Sequence, residues 1–415
     1  MGRSSARRTI ARDGGARLSI TCNRASHGVT ASGTSAAAPL TNDIDAADGC
    51  DPIDVPAAIG DSSTMRSCLL LTLAVVVGCG DDAAPAPDAG PPARQVVLAT
   101  TVDGSGLSSA VEFVIPEHTR SVTIVIEGDR AGLYALGALA LGDGIDRVAL
   151  PAGDPGAAMQ GSYRDEQIGQ MPGDLYQSIR LGTFTQVYPY RPGQAVVPGP
   201  ASLRVASDTA APVRVTIVMP ADDGARTLPI NVYIVSDTLV DPTTAPFVAE
   251  VERIFAQAGI TVVVAHVERI GGTALERLTE STEPQEAPGS QAAMLPALVA
   301  DRDRDGLDLF FVESLPSGIG GLSLGTPGPP LRGSYYFGVI VRGGLPAVTA
   351  ARVVAHEGAH FLALQHVQNV GVSGASYPDP LDDTRPGQGN LMENGTVLTA
   401  DQTFALAQSA LLITP

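Results

Sequence analysis

Residues 95–415 predict an α/β (α+β) domain with a mixed sheet, preceded by an all-β sandwich. Three observations carry this expectation. From 95 to 225, short β-branched runs are separated by Gly, Pro and Asp turns; from 226 onward, strand-like and helix-like patterns alternate. The segment 353–367, VVAHEGAHFLALQHV, is helix-like and holds half of the chain's six histidines. Hydrophobic content of 44% suffices for real cores, and 4% aromatics with no Trp predict that Val, Leu, Ile and Ala fill them.

Residues 1–64 show no periodicity and are read as a disordered or mis-annotated upstream segment, with Met65 as the expected start. Residues 65–79, MRSCLLLTLAVVVGC, pair one Arg with an apolar run from Leu69 to Val77. That run is too short to cross a bilayer as a helix, which takes about 20 residues, and it fits a signal-peptide core. Its ending resembles the bacterial lipobox, which implies lipidation at Cys79. The chain is then expected to be exported across the bacterial inner membrane and lipid-anchored to the cell envelope, periplasmic or at the outer surface. Residues 80–94, rich in Pro, Ala and Asp, read as the linker that holds a domain off that membrane. No cysteine follows Cys79, so the rest of the chain has no disulfide and no cysteine-based latency.

Within 95–225, the runs 111–118, 121–129, 201–207 and 212–220 read as strands of an antiparallel sandwich, either a structural spacer or a binding module. Residues 226–415 form the second domain. Residues 228–235 read as a strand, 244–257 as a helix with Phe247, Val251, Ile254, Phe255 and Ala258 on one stripe, and 260–267 as a second strand, which makes a βαβ unit with a parallel pair. Residues 307–312 give a third strand, and 334–341 a strand leading to the histidine-bearing helix.

The chemistry lies in that helix. His356 and His360 are four apart, so both imidazoles leave one helical face and can share one Zn²⁺. Glu357 follows the first of them, where a carboxylate can take a proton from an activated water. On an unbroken helix His366 would stand about 15 Å further along the axis, far beyond ligand distance. The chain must therefore leave the helix near Ala363 and fold back.

HEGAHFLALQH, with His356, Glu357, His360 and His366, resembles the metzincin clan of zinc metallopeptidases, whose pattern is HExxHxxGxxH followed by a methionine turn. Asn390-Leu391-Met392 matches that turn, with Met392 as the hydrophobic floor beneath the metal. The DPLDDTRPGQG run, 379–389, and LTADQTFALAQSALL, 398–412, are similar to the pappalysin-like bacterial branch. The resemblance implies a metzincin-like catalytic domain with a zinc helix, one catalytic Zn²⁺ held by His356, His360 and His366, Glu357 as general base, and a protein or peptide substrate. It also implies a cleft-edging role for the stretch 320–341. Two departures stand out: Ala363 replaces the glycine of the pattern, and Glu393 and Asn394 follow Met392 where many members have a tyrosine. They support an alternative, a catalytically inactive surface lipoprotein acting in binding or adhesion.

Other readings are narrower. DRDRDGLD, 301–308, resembles the opening of a calcium loop, but Val312 stands where a bidentate Glu is needed, so a solvated turn is preferred. Ca²⁺ stays a second candidate ion, with Asp379, Asp382 and Asp383 as its other potential donors. His118 and His266 read as turn or strand residues. A net charge of −18, without a basic cluster, excludes nucleic acid as a partner.

Overall fold

The computed structural model describes residues 94–149, 164–165, 169–170, 182–222, 224, 226–279, 290–302, 304–334, 336–370 and 376–413. The signal-peptide and lipobox reading, with Cys79, falls outside them. Among the described residues no helix is long and apolar enough to cross a membrane.

The first part is built of strands β1 (Arg94–Thr101), β2 (Val111–Ile115), β3 (Val122–Glu127), β4 (Tyr134–Ala140), β5 (Thr183–Tyr188), β6 (Gly199–Ser207) and β7 (Pro212–Met219). They form a four-stranded sheet in the order β1-β7-β3-β5 and a three-stranded sheet in the order β2-β6-β4. Every one of these pairings is antiparallel. β2 shows the alternation of a half-buried strand, with Val111, Phe113 and Ile115 inward. β3 and β5 differ, because nearly every residue in them is buried. Two covered faces remove the need for alternation, which is why VTIVIE reads as a continuous run.

The second part contains β8 (Thr227–Ile234), α1 (Ala245–Phe255), β9 (Thr261–Arg269), β10 (Leu307–Val312), β11 (Gly321–Ser323), β12 (Val339–Arg342), α2 (Ala347–Phe361), the short pair β13 (Gln368–Val370) and β14 (Ser376–Pro378), and α3 (Ala400–Leu406). Its five-stranded sheet runs β9-β8-β10-β12-β11. The first three pairings are parallel and the last is antiparallel, so the sheet is mixed as the sequence predicts. β8, α1 and β9 make the expected βαβ unit. Phe247, Val251, Ile254 and Phe255 are the buried face of α1, and Gly259, at φ 65°, ends the helical segment.

One strand is shorter than the sequence predicts. Hydrogen bonds from Ser334 N–H to Leu331 O and from Phe337 N–H to Ser334 O close turns here, and β12 begins only at Val339. Gly338 explains the break: its φ of 119° and the 2.8 Å between its potential Cβ position and Asp308 O admit only glycine. β12 then lies inside the sheet, and the cleft edge falls to β11, within the stretch 320–341 assigned to it.

The two parts share one hydrophobic core running from Val102 to Leu412. Polar ties cross between them. Arg120 donates to Ser409 O and Leu412 O, Ser121 Oγ donates to Gln408 O, and Tyr190 Oη donates to Ala363 O.

Candidate metal centre

α2 can carry its histidines close to the sheet because its inner face is small. Ala350, Ala351, Ala355, Gly358 and Ala359 are buried along it. A Cβ at Gly358 would already reach 3.5 Å from Phe255 and 3.6 Å from Leu307, so α2 sits in contact with α1 and β10.

The helix ends where the histidine spacing requires. Leu362 is the last residue with near-helical backbone, and Ala363 has φ 111°. Ala363 N–H bonds His360 O and Leu364 N–H bonds Ala359 O, both at 2.9 Å. That pair of bonds is a Schellman motif with alanine at the position glycine usually takes. An L-residue there costs about 1–2 kcal/mol relative to glycine. Leu364 and Val367, both buried, fix the chain after the corner and leave His366 at the cleft.

The corner brings the three imidazoles together. His366 Nε2 lies 3.2 Å from His356 Nε2 and 3.0 Å from His360 Nε2. Among the described residues this is the one cluster of three or more His, Cys, Asp or Glu groups with metal-ligand geometry. Two of the rings are oriented from behind. His356 Nδ1 lies 2.7 Å from Leu391 O and His360 Nδ1 lies 2.7 Å from Leu364 O. A carbonyl can only accept, so each Nδ1 carries its proton and each Nε2 presents a lone pair inward.

Protonation does not relieve the crowding. Burial pulls His356 below the ordinary imidazole value, and burial with His366 and His356 as neighbours pulls His360 well below it. Burial of the ring, then the charge of His356, lowers His366 to about 4, although the residue as a whole is the most open of the three. Neutral rings with lone pairs about 3 Å apart repel unless a cation lies among them. Nitrogens bound at 2.0–2.1 Å to a tetrahedral Zn²⁺ stand about 3.3 Å apart, close to the two separations from His366, and the three ligand atoms all lie within 4.8 Å of one another. The donor set therefore fits zinc.

Glu357 stands beside this set. Its Oε2 accepts the Ser323 N–H of β11 at 2.9 Å, and burial raises its pKa to about 7 against the lowering effect of that bond. β11 approaches so closely because Gly321 has no side chain. A Cβ there would fall 2.7 Å from Glu357 Cγ and 2.6 Å from Val353 Cγ1.

The 390–402 region supports the triad from below. The side-chain amides of Asn390 and Gln402, both fully buried, bond each other reciprocally at 2.8 and 3.1 Å. Asn390 Oδ1 also accepts Met392 N–H, and Gln402 forms a capping box with Thr399 at the start of α3. This network sets the turn whose Leu391 carbonyl holds His356. Met392 is buried and lines the same cavity as His366. Clefts of about 450 and 550 Å³ flank the triad, the first bordered by Glu357, Arg352 and Val353, the second by His366 and Met392, with Glu393 on both.

The structure thus brings together His356, Glu357, His360, His366 and Met392. It leaves the other candidates apart. His118 is a turn residue at φ 62°, and His266 lies in β9 beside Glu268. Asp308 is buried in a two-pronged ion pair with Arg332 at 2.8 Å, not in a solvated turn, because it belongs to β10, opposite Asn231 of β8. Asp379 is buried and accepts from Thr384 Oγ1 and Leu381 N–H, and Asp383 accepts Asp401 N–H. Sequence patterns did not indicate Ser323, Arg352, Glu393 or Tyr190, and the places of Ser323 and Tyr190 depend on partners 34 and 173 positions along the chain. Only Gly320-Gly321 hinted at a close approach.

No protein-family model matches the chain. No curated protein matches it either. Among solved structures, metalloproteinase-II from Bacteroides fragilis is similar at 14% identity and a TM-score of 0.26, over 46% of this chain and 61% of that one. The matched region is thus less than two thirds of that protein, and the function must be argued from the site itself.

Proposed function

We propose that this chain is an exported, lipid-anchored zinc metalloendopeptidase of metzincin type. In this reading residues 226–415 are the catalytic domain, residues 95–225 an all-β sandwich, and Cys79 the lipidated residue. The observation that carries it is the convergence of three neutral imidazoles, with His366 Nε2 3.0 and 3.2 Å from the other two, beside a half-buried carboxylate in an open cleft.

His356, His360 and His366 would hold the metal, which when bound supplies a Lewis acid and the means to activate water near neutral pH. Glu357 is the residue of this chain that moves a proton. Ser323 N–H fixes its Oε2, which leaves Oε1 to accept the proton of the attacking water and return it to the leaving amine nitrogen. Its raised pKa suits both transfers, since neither protonation state is strongly disfavoured near pH 7. Met392 closes the floor of the site and excludes water without taking a proton.

The test is cleavage of casein or a peptide library by the purified chain, beside Glu357→Gln. The variant should keep one zinc per chain and lose about 10²–10⁴-fold in turnover. One zinc per chain with no Glu357-dependent cleavage would overturn this reading in favour of a surface-binding lipoprotein, which the absence of a tyrosine after Met392 favours. Cys79→Ala should release the protein from membranes, and unchanged retention would overturn the anchor.

A further inference from the structure

Ala363 is both the corner of the metal site and its weak point. At φ 111° an alanine side chain is strained, so other contacts must hold the corner. The residue is 2% exposed, and its carbonyl lies beyond the end of α2, outside the two Schellman bonds. A buried carbonyl needs a donor. Tyr190 supplies one, from the other part of the chain and 173 positions upstream, with its Oη 3.1 Å from Ala363 O.

The donor is itself well fixed. Tyr190 is 3% exposed, and its loop is pinned where Gln194 Oε1 accepts both Tyr190 N–H and Arg191 N–H. Burial, then the nearby Asp379 carboxylate, pushes the phenol pKa far up, so the hydroxyl stays a donor at any working pH.

We propose that Tyr190 is a positioning residue of the metal centre: its hydroxyl holds the strained alanine corner that turns His366 back toward His356 and His360. The antiparallel part of the chain then completes the site and is more than a spacer. This rests on the reading that the triad binds zinc.

The experiment uses the full chain and four variants: Tyr190→Phe, Ala363→Gly, the two combined, and Ser121→Ala, which cuts another tie between the same two parts. Zinc affinity is measured by chelator competition, and the geometry by the visible spectrum of the Co²⁺-substituted protein. Tyr190→Phe should weaken zinc binding about tenfold or more and alter the cobalt spectrum. Ala363→Gly, which removes the strain, should restore both in the double variant. Ser121→Ala should lower the melting temperature and leave zinc affinity unchanged.

Wild-type affinity and spectrum in Tyr190→Phe, or a double variant no better than Tyr190→Phe, overturns the proposal while the zinc reading stands. If Tyr190→Phe does not fold, the double variant decides alone, because relief of the strain should let it fold and bind. A wild-type chain that binds no zinc overturns the zinc reading, and this proposal with it.

Discussion

His356 and His360 stand one turn apart on α2, so the helix alone sets their spacing. His366 reaches them through a strained corner, two Schellman bonds and a tyrosine from the other part of the chain. The first half of the site is local in sequence and the second is assembled from a distance. The spacing of the helical pair survives any perturbation that leaves α2 intact, although Leu391 O still orients the His356 ring, whereas the placing of His366 depends on contacts that a single substitution can remove.

The largest expected effect separates the halves directly. His366→Ala should leave far-UV circular dichroism and melting temperature close to wild type, because α2 ends before the corner. Its zinc affinity should fall by about three orders of magnitude, because two imidazoles remain of three. Loss of helix in that variant would show that the halves are not independent.

Asn390→Ala probes the support beneath His356 and ranks second. It leaves Gln402 Nε2 buried without an acceptor, while Oε1 keeps Thr399 N–H, and it frees Met392 N–H. The expected cost is about 3 kcal/mol, from three lost hydrogen bonds that leave two donors unmet, read from urea unfolding. Zinc binding should weaken with it, since Leu391 O would no longer hold His356 in register. Stability lost with zinc affinity unchanged would detach the Asn390 network from the metal site.

These two variants mark what the sequence discloses. The helix, the histidine pair and Glu357 follow from period and spacing, and the βαβ unit follows from its stripe and its Gly259 stop. The fold-back was also legible, because helix geometry forbids His366 any other route to His356 and His360. What holds the corner was not legible, because nothing local to Tyr190 distinguishes it from any other tyrosine in a loop. The pairing of Asn390 with Gln402 was visible only as two separate motifs, and the amide bonds supply the physical reason they occur together. Strand 334–341 was overextended because the pattern of apolar residues cannot reveal a glycine at positive φ against Asp308. The buried Asp308 was missed for a similar reason, since its partner Arg332 is distant in sequence.

The smallest effect concerns how α2 is tied to its neighbour. Glu250 on α1 accepts from Arg253 at 2.7 Å and from Arg352 on α2 at 2.8 Å. Arg253 first, and Arg352 after it, hold its carboxyl at about 2, below the ordinary 4.5. A depressed folded pKa contributes stability that is present above the unfolded value and is lost as pH falls through the folded one, so the window runs from 4.5 down to about 2. Both arginines are more than half exposed, so solvent screening keeps the pair below about 1 kcal/mol. In metal-free protein, where zinc release by acid does not intrude, Glu250→Gln should be slightly less stable than wild type at pH 6, and the gap should close as pH falls toward 2. Added salt should close it as well, at constant pH. The Tyr190 hydrogen bond has no charge to screen and no proton to gain, so the deficit of Tyr190→Phe should stay constant under both treatments. If salt narrows both gaps equally, the helix-side tie and the corner-side tie are not physically distinct, and the division of the site into a local and an assembled half loses its energetic basis.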